Sequence, residues 1–154
     1  MIAKQKLTRN RHGRPVEQRW VSGAYDCNRK IGMLALVDDR SAETLLPIIS
    51  SWCLEGTTIH SDGWPAYSRL GEMGFDHRVV VHEQYYVDPE TGVHTNNVEN
   101  YWQRCKRKFK RMYGTKSSLL PSYLDEFMWN ERFGRTFSDR SNNTLLCFKE
   151  NHFD

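Results

Sequence analysis

The stretch that most constrains this chain runs over residues 19–62. Two short apolar runs, 19–25 and 30–37, flank the polar tetrad Asp26-Cys27-Asn28-Arg29, a spacing that predicts an antiparallel hairpin inside a core sheet. The period then changes. Ser41 is placed to cap a helix in which Leu45, Leu46, Ile49, Trp52 and Cys53 recur every three or four residues, with Pro47 as a point of bending and Glu55-Gly56 as its end. The β-branched run Thr57-Thr58-Ile59-His60-Ser61 predicts a strand that stops at Asp62-Gly63.

Further along, residues 64–70 suggest a short helix, and residues 78–82 a strand apolar enough to be central rather than an edge. Residues 83–95, with Asp88-Pro89 and Gly92, read as a long loop of the kind that carries function or mobility. Asn96 opens a long helix whose apolar stripe is Val98, Trp102, Cys105, Phe109 and Met112, with Gly114 as its stop. A second helix starts near Ser118, tolerates Pro121 in its first turn, turns Leu120, Leu124, Phe127 and Met128 to the core, and ends at Gly134. Residues 1–18 form a polar, basic arm without a sustained apolar period and read as a loop or irregular hairpin. The domain proper is 19–134, and 135–154 is a weakly patterned tail.

The length of 154 residues suits one domain with a real core, and 38% hydrophobic with 12% aromatic residues excludes a disordered or fibrous chain. No apolar run approaches the roughly 20 residues of a membrane helix, and no apolar stretch follows the basic N-terminus, so neither membrane insertion nor secretion is expected. Cys27, Cys53, Cys105 and Cys147 lack the pairwise spacing of a zinc site and read as reduced thiols, mostly buried.

The formal charge of +3 conceals a segregation. Residues 1–30 hold eight Lys or Arg against Glu17 and Asp26, and residues 104–116 hold seven with no acid. Two concentrated basic segments on an otherwise acidic chain suggest a polyanionic partner, because phosphate binding depends on local rather than net charge. An ordinary solvated charged face is the plainer explanation.

Two acids stand out. Asp62 closes a strand and Glu99 lies in the first turn of the long helix, positions from which carboxylates can hold divalent ions for phosphodiester chemistry. Lys106 follows Glu99 by seven residues and so projects from nearly the same helical face, shared by Gln103 and Lys110. Arg104, Arg107, Lys108 and Arg111 widen the positive surface. Against this, Asn96-x-x-Glu99 has the spacing of a capping box, and Asp62-Gly63 suits a plain turn. His60 and His94 have no partner at ligand spacing, the tryptophans fit core packing better than base stacking, and neither a nucleophilic triad nor a glycine-rich phosphate loop is present.

Taken together, these segments resemble a known family. Arg19-Trp20-Val21-x-Gly23, the run from Asp39-Arg40-Ser41-Ala42-Glu43 to Ile49, and Ser61-Asp62-Gly63-Trp64-x-Ala66-Tyr67 look like the catalytic domain of Merlin-type transposases and their bacterial insertion-sequence (ISXO-like) relatives. Val87-Asp88-Pro89-Glu90-Thr91-Gly92-x-His94-Thr95-Asn96-Asn97-Val98-Glu99-Asn100-x-Trp102 strengthens the match, as do Tyr113-Gly114-Thr115 and Tyr123-Leu124-x-Glu126-Phe127-Met128-Trp129. The resemblance covers residues 16–134 and is specific in combination.

It implies an α/β, RNase H-like DDE domain, a mixed sheet flanked by helices, that cuts and joins DNA with two magnesium or manganese ions. Asp62 then matches the second catalytic acid, Glu99 the third, both as metal ligands, and Lys106 the basic residue that follows. In the family the first acid lies on the first strand, and neither Asp26, Asp38 nor Asp39 falls at a matching place. The expectation is therefore a fold lacking its first strand and a DNA-binding domain with an incomplete triad. Arg104, Lys106, Arg107, Lys108, Lys110 and Arg111 would meet phosphate. An active enzyme completed by an upstream segment or partner chain, and a non-enzymatic protein-interaction module, are the alternatives. DNA and a homo-oligomer are the expected partners, with nuclear residence if the host is eukaryotic.

Overall fold

The computed structural model describes residues 2–7 by their backbone, and residues 19–80, 95–112, 115–134, 138–141, 143 and 144. The hairpin is present as β2 (Arg19–Asp26) and β3 (Ile31–Val37), antiparallel from Trp20 opposite Val37 to Asp26 opposite Ile31. Asp26 builds the turn with its own carboxylate: Oδ1 accepts the backbone N–H groups of Asn28 and Arg29, each at 2.9 Å, and Lys30 adopts a φ of 58°.

The arm expectation needs correction. Residues 2–7 are not loop but strand β1 (Ile2–Leu7), antiparallel to β2 from Ile2 opposite Ala24 to Leu7 opposite Arg19. Strands β4 (Thr58–Asp62) and β5 (Asp76–Val80) complete a five-stranded sheet in the order β3-β2-β1-β4-β5. β1 is thus the middle strand, so the expected gap at the first strand is filled by this segment. Its lack of apolar alternation hid it, because a strand paired on both sides takes its stability from the ladder as well as from side-chain pattern. Residues 8–18 lie outside the described residues.

β4 runs parallel to β1 and β5 parallel to β4, so the sheet is mixed. β5 was expected to be central; among the described residues it is the outermost strand beyond β4, with Val79 45% exposed. It also begins two residues earlier than the apolar run, at Asp76. Its valines reflect strand propensity rather than burial on both faces.

Helix α1 (Ala42–Trp52) starts as its sequence foretells. Ser41 Oγ accepts the Thr44 N–H at 3.3 Å, and the buried residues are Leu45, Leu46 and Ile49. Pro47 lies in mid-helix with its ring exposed, where its missing N–H leaves one turn unbonded. α1 and a 3-10 helix at Pro65–Leu70 cover one face of the sheet, burying Ala24, Val37, Ile59, Tyr67, Leu70 and Phe75 between them.

The opposite face carries α2 (Asn96–Arg111) and α3 (Leu120–Phe133), which is entered through a single 3-10 turn at Ser117–Leu119 and capped by Gly134. Their core is Val21, Leu34, Val98, Tyr101, Trp102, Cys105, Leu120, Leu124 and Phe127. Two glycines set how close α2 can come. A Cβ on Gly23 would stand 2.6 Å from Trp102 Cζ2, and one on Gly32 would fall 2.1 Å from Tyr101 Cζ. Among the described cysteines only Cys105 is buried; Cys53 is half-buried and Cys27 exposed, so the expectation of mostly buried thiols fails at these two. Burial pushes the Cys105 thiol up to about 12. No helix among the described residues is long and apolar enough to cross a membrane. The long loop expected at 83–95 falls, up to residue 94, outside the described residues, as do His94, Gly114, Cys147 and most of the tail.

Candidate catalytic and nucleic-acid site

Asp62 ends β4, half-buried. Side chains alternate along a strand, and Ile59 packs under α1, so Asp62, three positions on, stands on the face that α2 covers. Its Oδ1 accepts the Trp64 N–H at 3.3 Å, the short-range bond of an Asx turn. The plain-turn contact leaves the other lone pairs of the carboxylate unconsumed, as a ligand position would require.

The turn after Asp62 is anchored from a distance. Trp64 Nε1 donates to the Arg40 carbonyl at 3.1 Å, and the Arg40 guanidinium sits between the Trp20 and Trp64 rings, 4.2 Å from each centroid. Behind Asp62, Ser61 is fully buried and donates its hydroxyl proton to the Asp62 carbonyl at 2.8 Å, which leaves His77 Nε2, 2.8 Å from Ser61 Oγ, as the donor in that pair. Burial lowers the His77 imidazole below its ordinary value. None of these supports was legible from motif spacing, although Arg40 and Trp64 both lie in the segments that carry the family resemblance.

Glu99 lies in the first turn of α2, half-buried. The helix starts one residue earlier than its apparent cap: Thr95 is the N-cap, its carbonyl accepts the Glu99 N–H at 3.1 Å, and its buried Oγ1 donates to Glu99 Oε1 at 3.1 Å. Asn96 is thereby inside the helix, so the capping box proposed for Asn96 and Glu99 has no cap residue to close it. The carboxylate is held by the threonine hydroxyl instead. α2 rests on β2 and β1, with Asn97 Nδ2 3.4 Å from Cys27 Sγ at the hairpin turn. Asp62 and the first turn of α2 accordingly belong to one face of the sheet. Among the described residues no group of three or more His, Cys, Asp or Glu side chains is close enough to hold one ion.

The basic residues of α2 divide into two rows. Arg104 and Lys108 turn toward α3. Arg104 Nε lies 2.8 Å from Glu131 Oε2, and Lys108 Nζ lies 2.9 Å from Glu126 Oε2 and 3.4 Å from the Tyr123 carbonyl. Each cation also lies over a ring, Arg104 over Tyr101 at 5.5 Å and Lys108 over Tyr123 at 5.8 Å. Lys106, Arg107, Lys110 and Arg111 are exposed. Arg107 and Arg111 line a shallow groove of about 550 Å³ with Tyr123 and Glu126. Lys106 and Lys110 run on from Glu99 along the helix. Spacing alone could not separate the rows, because the acids that neutralise Arg104 and Lys108 come from another helix.

The sequence is 24% identical over 94 residues to an uncharacterized transposase-like protein of Haemophilus influenzae, an alignment covering 61% of this chain and 75% of that protein. The family described as the ISXO2-like transposase domain matches residues 2–132, from the central strand β1 to the last turn of α3. A match that spans the whole sheet and the helices on both its faces makes the chain a member of that family, the ISXO2-like transposase domains.

Proposed function

We propose that this transposase-family chain is a DNA-binding domain of the RNase H-like DDE superfamily whose cutting centre is incomplete. The observation that carries the reading is the exposed cationic row Lys106, Arg107, Lys110 and Arg111, which continues along α2 from the Glu99 turn. Lysine and arginine on one helix face can follow a phosphate backbone, and displaced counterions make such binding favourable and salt-dependent. The mixed sheet with parallel β1, β4 and β5, an antiparallel β1-β2-β3 half and helices on both faces supports the superfamily assignment.

In this reading Asp62 and Glu99 are the remaining acids of the centre, Lys106 grips the phosphate beside it, and the sandwich of Arg40 between Trp20 and Trp64 keeps the Asp62 turn in place. Magnesium or manganese is the group the family resemblance implies, and it would supply Lewis-acid stabilisation of the departing oxygen. Among the described residues the donor set does not fit a pair of such ions: two half-buried carboxylates, one already bonded to a backbone N–H and the other to a threonine hydroxyl, fall short of the oxygen ligands two hard cations need. No catalytic step is therefore assigned.

Anisotropy of a labelled DNA duplex tests the binding. The expected result is an affinity that falls steeply with salt, and a slope reduced by about two in the Lys106→Ala, Lys110→Ala double variant. Salt-independent or absent DNA binding would remove this reading. Magnesium-dependent nicking of plasmid DNA that disappears in both Asp62→Asn and Glu99→Gln would replace it with an active transposase.

A further inference from the structure

The four exposed cations of α2 fall on two lines. At about 100° per residue, Lys106 and Lys110 stand within about 20° of Glu99 around the helix. Arg107 and Arg111 stand about 80–120° further round, on the side of α3. There they border the groove between α2 and α3, a cleft of about 550 Å³ whose apolar wall is Met112, Tyr123 and Phe127. That volume lies within the range of about 300–1,000 Å³ typical of small-ligand clefts.

The acids of this groove are already matched. Glu131 is taken by Arg104 and Glu126 by Lys108, and among the described residues Arg107 and Arg111 form no ion pair. The groove therefore keeps two uncompensated guanidinium groups. They lie one helical turn apart, about 6 Å along the axis, and can converge on one phosphate through paired N–H donors. Beside them the half-buried Tyr123 ring supplies a π surface on which a nucleobase can stack. A base inside a duplex has both faces covered by its neighbours, so only an unpaired base can use that ring. The walls are side chains of two helices, and they present no strand edge with which an extended peptide could pair.

We infer that the groove between α2 and α3 is a subsite for an unpaired nucleotide of DNA, with Arg107 and Arg111 on its phosphate and its base against the Tyr123 ring. The inference rests on the proposed DNA binding and deepens it: Lys106 and Lys110 follow the duplex, and the groove takes a strand that has left it.

Anisotropy of a labelled duplex tests this with three forms of one end: blunt, carrying a short single-stranded thymidine tail, or carrying an abasic tail of equal length. The abasic tail keeps the phosphates and lacks the bases. The thymidine tail should raise affinity at least about fivefold over the blunt duplex, and the abasic tail should retain only a minor part of that gain. Tyr123→Leu should abolish the difference between the two tails, and Tyr123→Phe should keep it. The Arg107→Gln, Arg111→Gln double variant should lose the gain with both tails. Equal affinity for the blunt and thymidine-tailed duplexes overturns the inference, as does an abasic tail that binds as tightly as the thymidine one. So does a Tyr123→Leu variant, folded by its circular dichroism, that keeps the base-dependent gain; if this variant does not fold, the comparison of tails on the unaltered chain decides. An oligoglutamate peptide that displaces the thymidine tail while the duplex stays bound would overturn it in favour of an acidic protein segment. Loss of binding to all three DNAs removes the proposed function, whereas blunt-duplex binding without a gain from the tail removes only the groove.

Discussion

Arg40 shows how one side chain can organise a site it does not enter. Its guanidinium is held 4.2 Å from two indole centroids, and its carbonyl accepts the Trp64 indole Nε1–H, so the end of β3 and the turn after Asp62 are clamped together. Arg40→Ala should cost about 1–3 kcal/mol by loss of two partly desolvated cation–π contacts. The urea midpoint reads this, and an unchanged midpoint would refute the clamp. Arg40→Lys should recover only part of the loss, because an ammonium cannot stack flat between two rings. His77 provides a pH signature. Burial lowers its imidazole below the ordinary 6.5, so just under that value the unfolded chain binds more protons than the folded one. The His77 contribution is therefore fully present above pH 6.5 and lost as pH falls through the lowered value. His77→Gln should flatten that part of the stability profile. The serine and arginine partners hold Asp39 and Asp76 below the usual carboxylate range, and their stabilisation disappears only at lower pH, under 3.8.

At the scale of elements, α2 serves three neighbours with three faces. Val98, Tyr101, Trp102 and Cys105 pack on the sheet, Arg104 and Lys108 meet α3, and Lys106, Arg107, Lys110 and Arg111 face solvent. The apolar face was legible because burial imposes the 3.6-residue period on the sequence itself. Tyr101 escaped that reading: it lies off the Val98-Trp102-Cys105 line and is buried because Gly32 leaves room for its ring. The division of the cations also escaped it, since ion pairing depends on where α3 docks. A contrast between two lysines checks the division. Lys106→Ala should reduce the salt slope of DNA binding by about one with little effect on stability. Lys108→Ala should leave that slope nearly unchanged and cost about 0.5–1 kcal/mol through the lost pair with Glu126, whose side chain is 54% exposed. Equal effects of both on DNA binding would show that the pairing with α3 is not maintained in solution.

For the whole molecule, the two apolar clusters share one sheet, with Ala24 and Val37 packed on one side and Val21 and Leu34 on the other. Breaking either cluster exposes the strands that form the floor of the other. Tryptophan fluorescence and far-ultraviolet circular dichroism should therefore report coincident urea transitions; a separate early loss of helical signal would mean that α2 and α3 detach as an independent unit. The hairpin, the Ser41 cap, the α2 stripe and the start and stop of α3 were determined by the sequence alone, because turn chemistry, capping and amphipathic period act between residues close along the chain. Membership of β1 in the sheet, the outer position of β5, the pairing of Arg104 and Lys108 with α3 and the parallel register of Ile2 with Ser61 were decided only by tertiary structure. Each depends on register or docking between segments distant in sequence, and those are fixed by backbone pairing and packing that leave no local pattern to read.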